Sequence, residues 1–123
     1  MPTQFQTGVS YVTTTAVIAT SSSITPEVDC GNCRLVGIQT DGYIVGTQLT
    51  FQVAAVSGGE GELYSNAGVE VTYPCSTSEA IPADIPTFLP WEFIKVRTGT
   101  SGSPTTQGTA SATTLTLILA TEA

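Results

Sequence analysis

The sequence predicts an all-β domain: a β-sandwich of the jelly-roll type, with seven or eight short antiparallel strands and an N-terminal arm. Apolar and polar residues alternate repeatedly along the chain, and no sustained 3.6-residue period with helix caps interrupts them. The many Thr, Val and Ile residues suit pleated strands, whereas Ser and Gly supply turns. With 123 residues the chain is long enough for one hydrophobic core. A partly closed barrel is the alternative architecture.

The first part of the chain is predicted to differ from the rest. Residues 1–30 are rich in Thr and Ser, with one strand-like segment at 13–20, and we interpret them as an arm followed by an edge strand. Residues 31–123 are assigned to the sandwich. Arms of this kind can extend to a neighbouring subunit.

Alternation is clearest at residues 47–55, which predict a strand with one buried face and one solvent-facing face. The buried set is Leu49, Phe51, Val53 and Ala55, and the solvent-facing set is Gln48, Thr50 and Gln52. Further strands are predicted, in chain order, at residues 33–39, 62–65, 69–73, 91–98 and 111–120. Four prolines between residues 74 and 90 predict a long ordered loop without a helix, with a short strand at 79–81.

Charge and residue content exclude several functions. The chain has ten acidic and three basic residues, a formal net charge of −7, and no histidine. So few cations cannot neutralise a row of phosphates, so no nucleic-acid binding is expected. Without histidine there is no Ser-His-Asp or Cys-His site, and the spacing of the acids brings no two of them together predictably. We therefore expect a non-enzymatic protein without a cofactor.

The chain also shows no membrane signal. Its N-terminus lacks the basic start and apolar stretch of a signal peptide. The most apolar windows are far shorter than the roughly 20 residues that cross a bilayer. We expect synthesis in the cytoplasm and no membrane partner.

Three cysteines form the most conspicuous motif. Cys30 and Cys33 are separated by two residues, a spacing found in redox and metal sites, but residues 34–38 resemble a strand and not the helix that follows a thioredoxin-like pair. Zinc would need two further ligands, and only Cys75 and carboxylates remain. Free thiols, a disulfide among the three cysteines, and zinc all stay open. A link to Cys75 would close the longer loop and stabilise the protein more.

The segment at 91–98 places two of the three basic residues on one strand face. Lys95 and Arg97 share that face with Trp91, whereas Ile94 and Val96 lie on the other, which is predicted to be core. The cations could pair with acids across the sheet or contact another subunit.

On the second interpretation, Lys95, Arg97 and Arg34 are the candidate interface residues. Replacing both Lys95 and Arg97 by Glu is then expected to leave the monomer folded and to weaken assembly.

Several segments occur in a recognisable order: residues 35–38, 49–53, 63–64, 68–71, 91–100 and 114–119. The most specific is the segment WEFIKVRTGT. Over roughly residues 34–119 this order resembles a group of small tailed-phage proteins encoded among head genes. The resemblance implies a capsid decoration, or cement, protein: commonly a homotrimer with a β-rich body, bound to the major capsid protein.

That resemblance places the protein on the outer surface of the capsid, in the virion, after synthesis in the host cytoplasm. The net charge of −7 agrees, because DNA inside the shell would repel it. Two alternatives remain. One is a carbohydrate-binding module, with Trp91 and Tyr43 as aromatic platforms. The other is a tail or connector protein of the virion.

Overall fold

The computed structural model describes residues 9–122, which form nine β-strands and one short helix. In chain order these are β1 (Val9–Ile18), β2 (Val28–Asp29), β3 (Arg34–Thr40), β4 (Gln48–Ala54), β5 (Gly61–Glu62), β6 (Tyr73–Pro74), β7 (Ala80–Pro82), α1 (Ile85–Phe88), β8 (Phe93–Thr98) and β9 (Thr113–Glu122). The strands lie in two sheets and every pairing is antiparallel. The predicted all-β sandwich is confirmed.

The order of strands in the sheets identifies the topology. Sheet A has the order β1-β9-β3-β7, and sheet B has the order β2-β8-β4-β5, with β6 also paired to β4. The first strand therefore pairs with the last, β2 with β8, β3 with β7 and β4 with β5. Such nested pairs arise when one long antiparallel hairpin is rolled into two layers. This arrangement is that of a jelly roll.

The core lies between the two sheets and follows the alternation seen in the sequence. In β9 every second residue is buried, from Thr113 to Leu119. The matching core residues of the other long strands are Ala16, Ile18, Leu35, Ile38, Leu49, Phe51, Val53, Ile94 and Val96. Phe51 makes edge-to-face contacts with Tyr73 and Phe88, at centroid distances of 5.4 and 5.0 Å. Through these aromatic contacts α1 and β6 pack against β4.

The predicted boundary at residue 30 is not found. All ten residues of β1 pair with β9, so β1 is an integral strand of sheet A. It lies at the edge of that sheet, as predicted. Residues 28–29 form the edge strand of sheet B, so the sandwich includes residues before 30. Residues 1–8, the first part of the predicted arm, lie outside the described residues.

Two local predictions were wrong. The proline-rich segment contains α1, because Pro86 lies in its first turn, where a missing N–H breaks no helical hydrogen bond. Phe88 at the end of α1 is fully buried and holds the helix on the core. The strand expected at 69–73 is reduced to a bridge between Tyr64 and Glu70 and to the two-residue β6.

Candidate interaction surfaces

Arg97 lies at the centre of an internal ion cluster on the outer side of sheet B. Its side chain is only 5% exposed. Nη2 lies 2.6 Å from Glu62 Oε1 and 3.0 Å from Glu70 Oε2, and Nε donates to Thr50 Oγ1 at 3.0 Å. The hydrogen bonds from Arg97 hold the pKa of Glu62 below its usual value.

This cluster decides between the two interpretations of Arg97 in favour of intramolecular pairing. Glu62 is on β5 and Glu70 follows the next turn, so Arg97 fixes both segments against β8 and β4. Glu70 also accepts the backbone N–H of Ser101 at 3.1 Å. In view of this cluster we now expect the double replacement Lys95→Glu with Arg97→Glu to destabilise the monomer through Arg97. A third carboxylate at this position would face two others in a mostly buried site.

Lys95 is more accessible than Arg97. Its side chain is 30% exposed, and Nζ is 4.0 Å from Glu60 Oε1, at the limit of an ion pair. Glu60 belongs to the turn between β4 and β5, and its Oε2 is buried without a hydrogen-bond partner among the described residues. Lys95 stays a candidate for an interface.

Glu27 ties the same turn to the segment before β2. Its carboxylate accepts hydrogen bonds from Ser57 Oγ at 2.6 Å and from the Gly58 N–H at 2.8 Å. The adjacent Glu60 side chain, followed by the hydrogen bonds from Ser57 and Gly58, lowers the pKa of Glu27 to about 2. The Glu27 carboxylate thus holds the first part of the β4–β5 turn, at Ser57 and Gly58.

Arg34 lies at the opposite side of the molecule and has no carboxylate partner among residues 9–122. It donates instead to backbone carbonyl oxygens of Leu89, Gly31 and Cys33, at 2.7, 2.9 and 2.6 Å. These bonds connect the start of β3 to the end of α1. Arg34 also lines an open cleft of about 480 Å³ beside the exposed Ile85 and Leu89. Its charge therefore remains unneutralised at an apolar rim.

Trp91 and Tyr43, the two aromatic residues predicted for sugar binding, do not lie together in the structure. Trp91 is half-buried and lies beside Tyr64, which is 50% exposed. Together they line two open clefts of about 380 and 370 Å³, with Glu62 in one and Asn66 in the other. Tyr43 is half-buried next to Gly108 and lines neither cleft. Tyr64, and not Tyr43, is the aromatic neighbour of Trp91.

The outer side of sheet A has almost no charge. We call it the neutral face, and its outward residues are Tyr11, Thr13, Thr15, Val17, Gln39, Ala80, Pro82, Thr114, Thr116, Ile118 and Ala120. None of the nine acidic side chains that the structure describes belongs to this set, but charged residues lie at both of its ends: Arg34 is paired with Ala120, and Asp41 Oδ2 accepts the Thr114 N–H at 3.0 Å. Because the whole chain carries −7, the remaining surface holds nearly all of the negative charge.

The three thiols are free, and Cys30 and Cys75 are buried. Cys30 donates its N–H to Glu92 beside the start of β8, whereas Cys75 donates to Thr47 before the start of β4. These points lie at opposite ends of the antiparallel β4–β8 pair, roughly 20 Å apart at the rise of a strand, far beyond disulfide range. The link to Cys75 that would have stabilised the protein most is thus ruled out in this fold.

Burial raises the pKa of the Cys30 thiol to about 11 and also raises that of Cys75. Both are therefore poor nucleophiles. Within residues 9–122 no group of three or more His, Cys, Asp or Glu side chains could hold a metal ion. Nor is any helix in this range long and apolar enough to span a bilayer.

Comparison with known proteins adds evidence on the fold. The crystal structure of the SPBc2 prophage-derived protein YomS is similar, with a TM-score of 0.50 and 15% identity, over 92% of this chain and 95% of that chain. The likeness is one of fold. No protein-family model matches the chain, and no curated protein matches it by sequence.

The sequence alone did not reveal which groups bind the side chain of each basic residue, and these groups decide its role. Glu62 and Glu70 lie 35 and 27 positions from Arg97, so no local spacing connects them. The neutral face was detectable in part. The absence of charge from the Thr-rich first strand and from the last strand is visible in the sequence, but only the topology places these strands side by side.

Proposed function

We propose that this protein is a structural component of a bacteriophage virion that decorates the outside of the capsid and stabilises contacts between capsomers. Its partner is the major capsid protein, to which it binds as a homo-oligomer. The segment order at 34–119 supports the assignment to phage head proteins. The fold likeness to a prophage-derived protein is consistent with it.

The neutral face is the observation that carries the proposal. A protein of net charge −7 associates most readily through a surface that adds no like-charge repulsion. The outward residues of β9, β3 and β7 provide such a surface on paired strands, with a shallow apolar depression between Ile118 and Pro82. We assign this face to the capsid, and the acidic remainder of the molecule to solvent.

Binding across capsomer joints would stabilise the expanded shell, because a ligand that binds one state shifts the equilibrium toward that state. Several copies joined in one oligomer would add avidity. Arg97 and Lys95 lie on the outer side of sheet B, away from this contact, whereas Arg34 lies at one end of the neutral face.

A co-sedimentation assay with expanded heads tests the proposal. Gln39→Glu with Thr116→Glu places two carboxylates on adjacent strands in the centre of the neutral face, and we expect at least a tenfold loss of head binding. Asn66→Glu with Ala67→Glu adds the same charge in an exposed turn on the other side and should bind like the wild type. Unchanged binding of the first variant would reject the capsid-facing role of this surface.

Immunogold labelling of intact virions separates the decoration role from the tail or connector alternative. Label distributed over heads supports decoration. Label confined to the tail or to the portal vertex would replace it by the alternative.

The cleft beside Trp91 and Tyr64 favours carbohydrate binding as a second candidate function. An exposed tyrosine next to a half-buried tryptophan, with a carboxylate and an amide nearby, is a combination that can stack on a sugar ring and bond its hydroxyls. Titration with a panel of soluble polysaccharide fragments, followed by tryptophan fluorescence, tests it. A saturable shift that Tyr64→Ala abolishes supports the function, and no shift across the panel rejects it.

A further inference from the structure

Strand β1 is unusual among the sheet edges of this protein. The other edge strands are two or three residues long, and β6 and β7 each include a proline. Short length and proline are devices that keep an edge from pairing with another chain. β1 has ten residues, VSYVTTTAVI, without proline, glycine or charge.

The geometry of β1 leaves its outer ladder available. The strand pairs with β9 along its whole length without a register shift, so it contains no bulge. It ends the strand order of sheet A, and no other described strand pairs with it. Tyr11, Val12 and Val17 are 66%, 49% and 41% exposed along this edge. An uncharged edge of this length is a template for strand addition.

The sequence of β1 is complementary to itself in one antiparallel register. When two copies meet with Thr14 on the twofold axis, Tyr11 of one copy lies opposite Val17 of the other, and Thr13 lies opposite Thr15. An aromatic residue opposite a β-branched residue, and a Thr opposite a Thr, are cross-strand pairs that stabilise antiparallel sheets. This register keeps outward residues facing outward residues and pairs residues 10–18 of both strands.

The absence of charge along β1 permits a contact between two copies of this chain. Residues 10–18 carry no acid, so pairing of two β1 strands places no like charges opposite each other. The contact is also isologous, so one exposed edge satisfies both partners and leaves none open.

We propose that β1 pairs with β1 of a second copy, in antiparallel register about Thr14, and joins two four-stranded sheets into one continuous sheet of eight strands. The contact is made by the backbone edge of β1, whose outward side chains belong to the neutral face, and it leaves the outward residues of β9, β3 and β7 free. It forms in the isolated protein, so its failure and the failure of head binding are observed separately.

Light scattering after size-exclusion chromatography tests the pairing. The wild type should elute with an even number of copies, and Thr13→Lys with Thr15→Lys should halve that number while circular dichroism stays unchanged. Asn66→Lys with Thr77→Lys adds the same charge at exposed turn positions and should keep the wild-type mass. A wild-type monomer or trimer, a β1 variant of unchanged mass, or equal loss in both variants would overturn the proposal.

Cysteine cross-linking tests the register in a Cys33→Ser background. Thr13→Cys mixed with Thr15→Cys should form a covalent dimer under mild oxidation, because these positions face each other across the axis. Each variant alone should form at most a tenth as much covalent dimer. In that case the two copies of the same cysteine lie at diagonal positions, too far apart for a disulfide. Dimers of equal yield in the single variants, or none in the mixture, would refute the register.

Discussion

At the scale of single residues, the two basic side chains of β8 have opposite environments although they are two positions apart. Arg97 is enclosed by two carboxylates and a hydroxyl, whereas Lys95 has one distant carboxylate and remains partly in water. Alternation placed them correctly on one face. Their different roles depend on Glu62 and Glu70, which long-range pairing of β5 and the 64–70 turn brings over Arg97.

A matched pair of substitutions measures this difference. Arg97→Met leaves two carboxylates facing each other without a cation, and we expect the free energy of unfolding to fall by about 3 kcal/mol. Lys95→Met removes only a weak, partly exposed pair and should cost less than about 1 kcal/mol. Urea titration of both variants gives the comparison. Equal losses would contradict the internal role of Arg97.

Stability should depend on the protonation of Glu27. Its pKa is lowered from 4.5 to about 2, so its hydrogen bonds to the 57–60 turn stabilise the folded state fully above about pH 5 and are lost as the pH falls toward 2. Glu62, whose pKa is also lowered, acts in the same direction. We expect Glu27→Gln to melt at a lower temperature than the wild type at pH 6, with the gap closing by about pH 2. Melting curves across this range check the sign, and a gap that widens on acidification would contradict it.

At the scale of elements, the long strands could be predicted and the short ones could not. Burial confirms a strict two-residue period in β9, whereas the period shifts in β3 at the bulge between Leu35 and Gly37. In β4 and β8 it is interrupted where Thr50, Ala54 and Arg97 are also buried, and Ala55, predicted to be buried, is exposed. β2, β5 and β6 have two residues each, which is too few to show a period in the sequence. They form because a longer neighbouring strand pairs with them by backbone hydrogen bonds. Thr50 was predicted to face water, but Arg97 covers it.

The helix α1 is held by one side chain. Phe88 is fully buried against Phe51, whereas its neighbour Leu89 is 59% exposed. Phe88→Ala should therefore lower the free energy of unfolding by about 3–5 kcal/mol because it leaves a cavity in the core. Leu89→Ala should change it by no more than about 0.5 kcal/mol. Denaturant unfolding measures both, and a small effect of Phe88→Ala would show that α1 is not anchored in this way.

At the scale of the whole molecule, nested pairing makes folding depend on contacts between distant parts of the chain. β1 and β9 are about a hundred positions apart, and β2 and β8 are also far from each other in sequence. Because such loops must close before the sheets form, we expect folding in milliseconds to seconds, within the slow range of all-β domains. Stopped-flow fluorescence of Trp91 measures this rate. Microsecond folding would indicate that the sheets form from local pairs.

The same nesting has a mechanical consequence. Val9 and Glu122 are partners at one end of the β1–β9 ladder, so a force that separates these two ends opens the ladder one pair at a time. A load of this kind meets little resistance, because the hydrogen bonds break in sequence and not together. A particle that pulled on both ends would therefore unfold the protein, starting at the Val9–Glu122 end of the β1–β9 ladder. A force applied through the outer side of sheet A does not act on this end of the β1–β9 ladder.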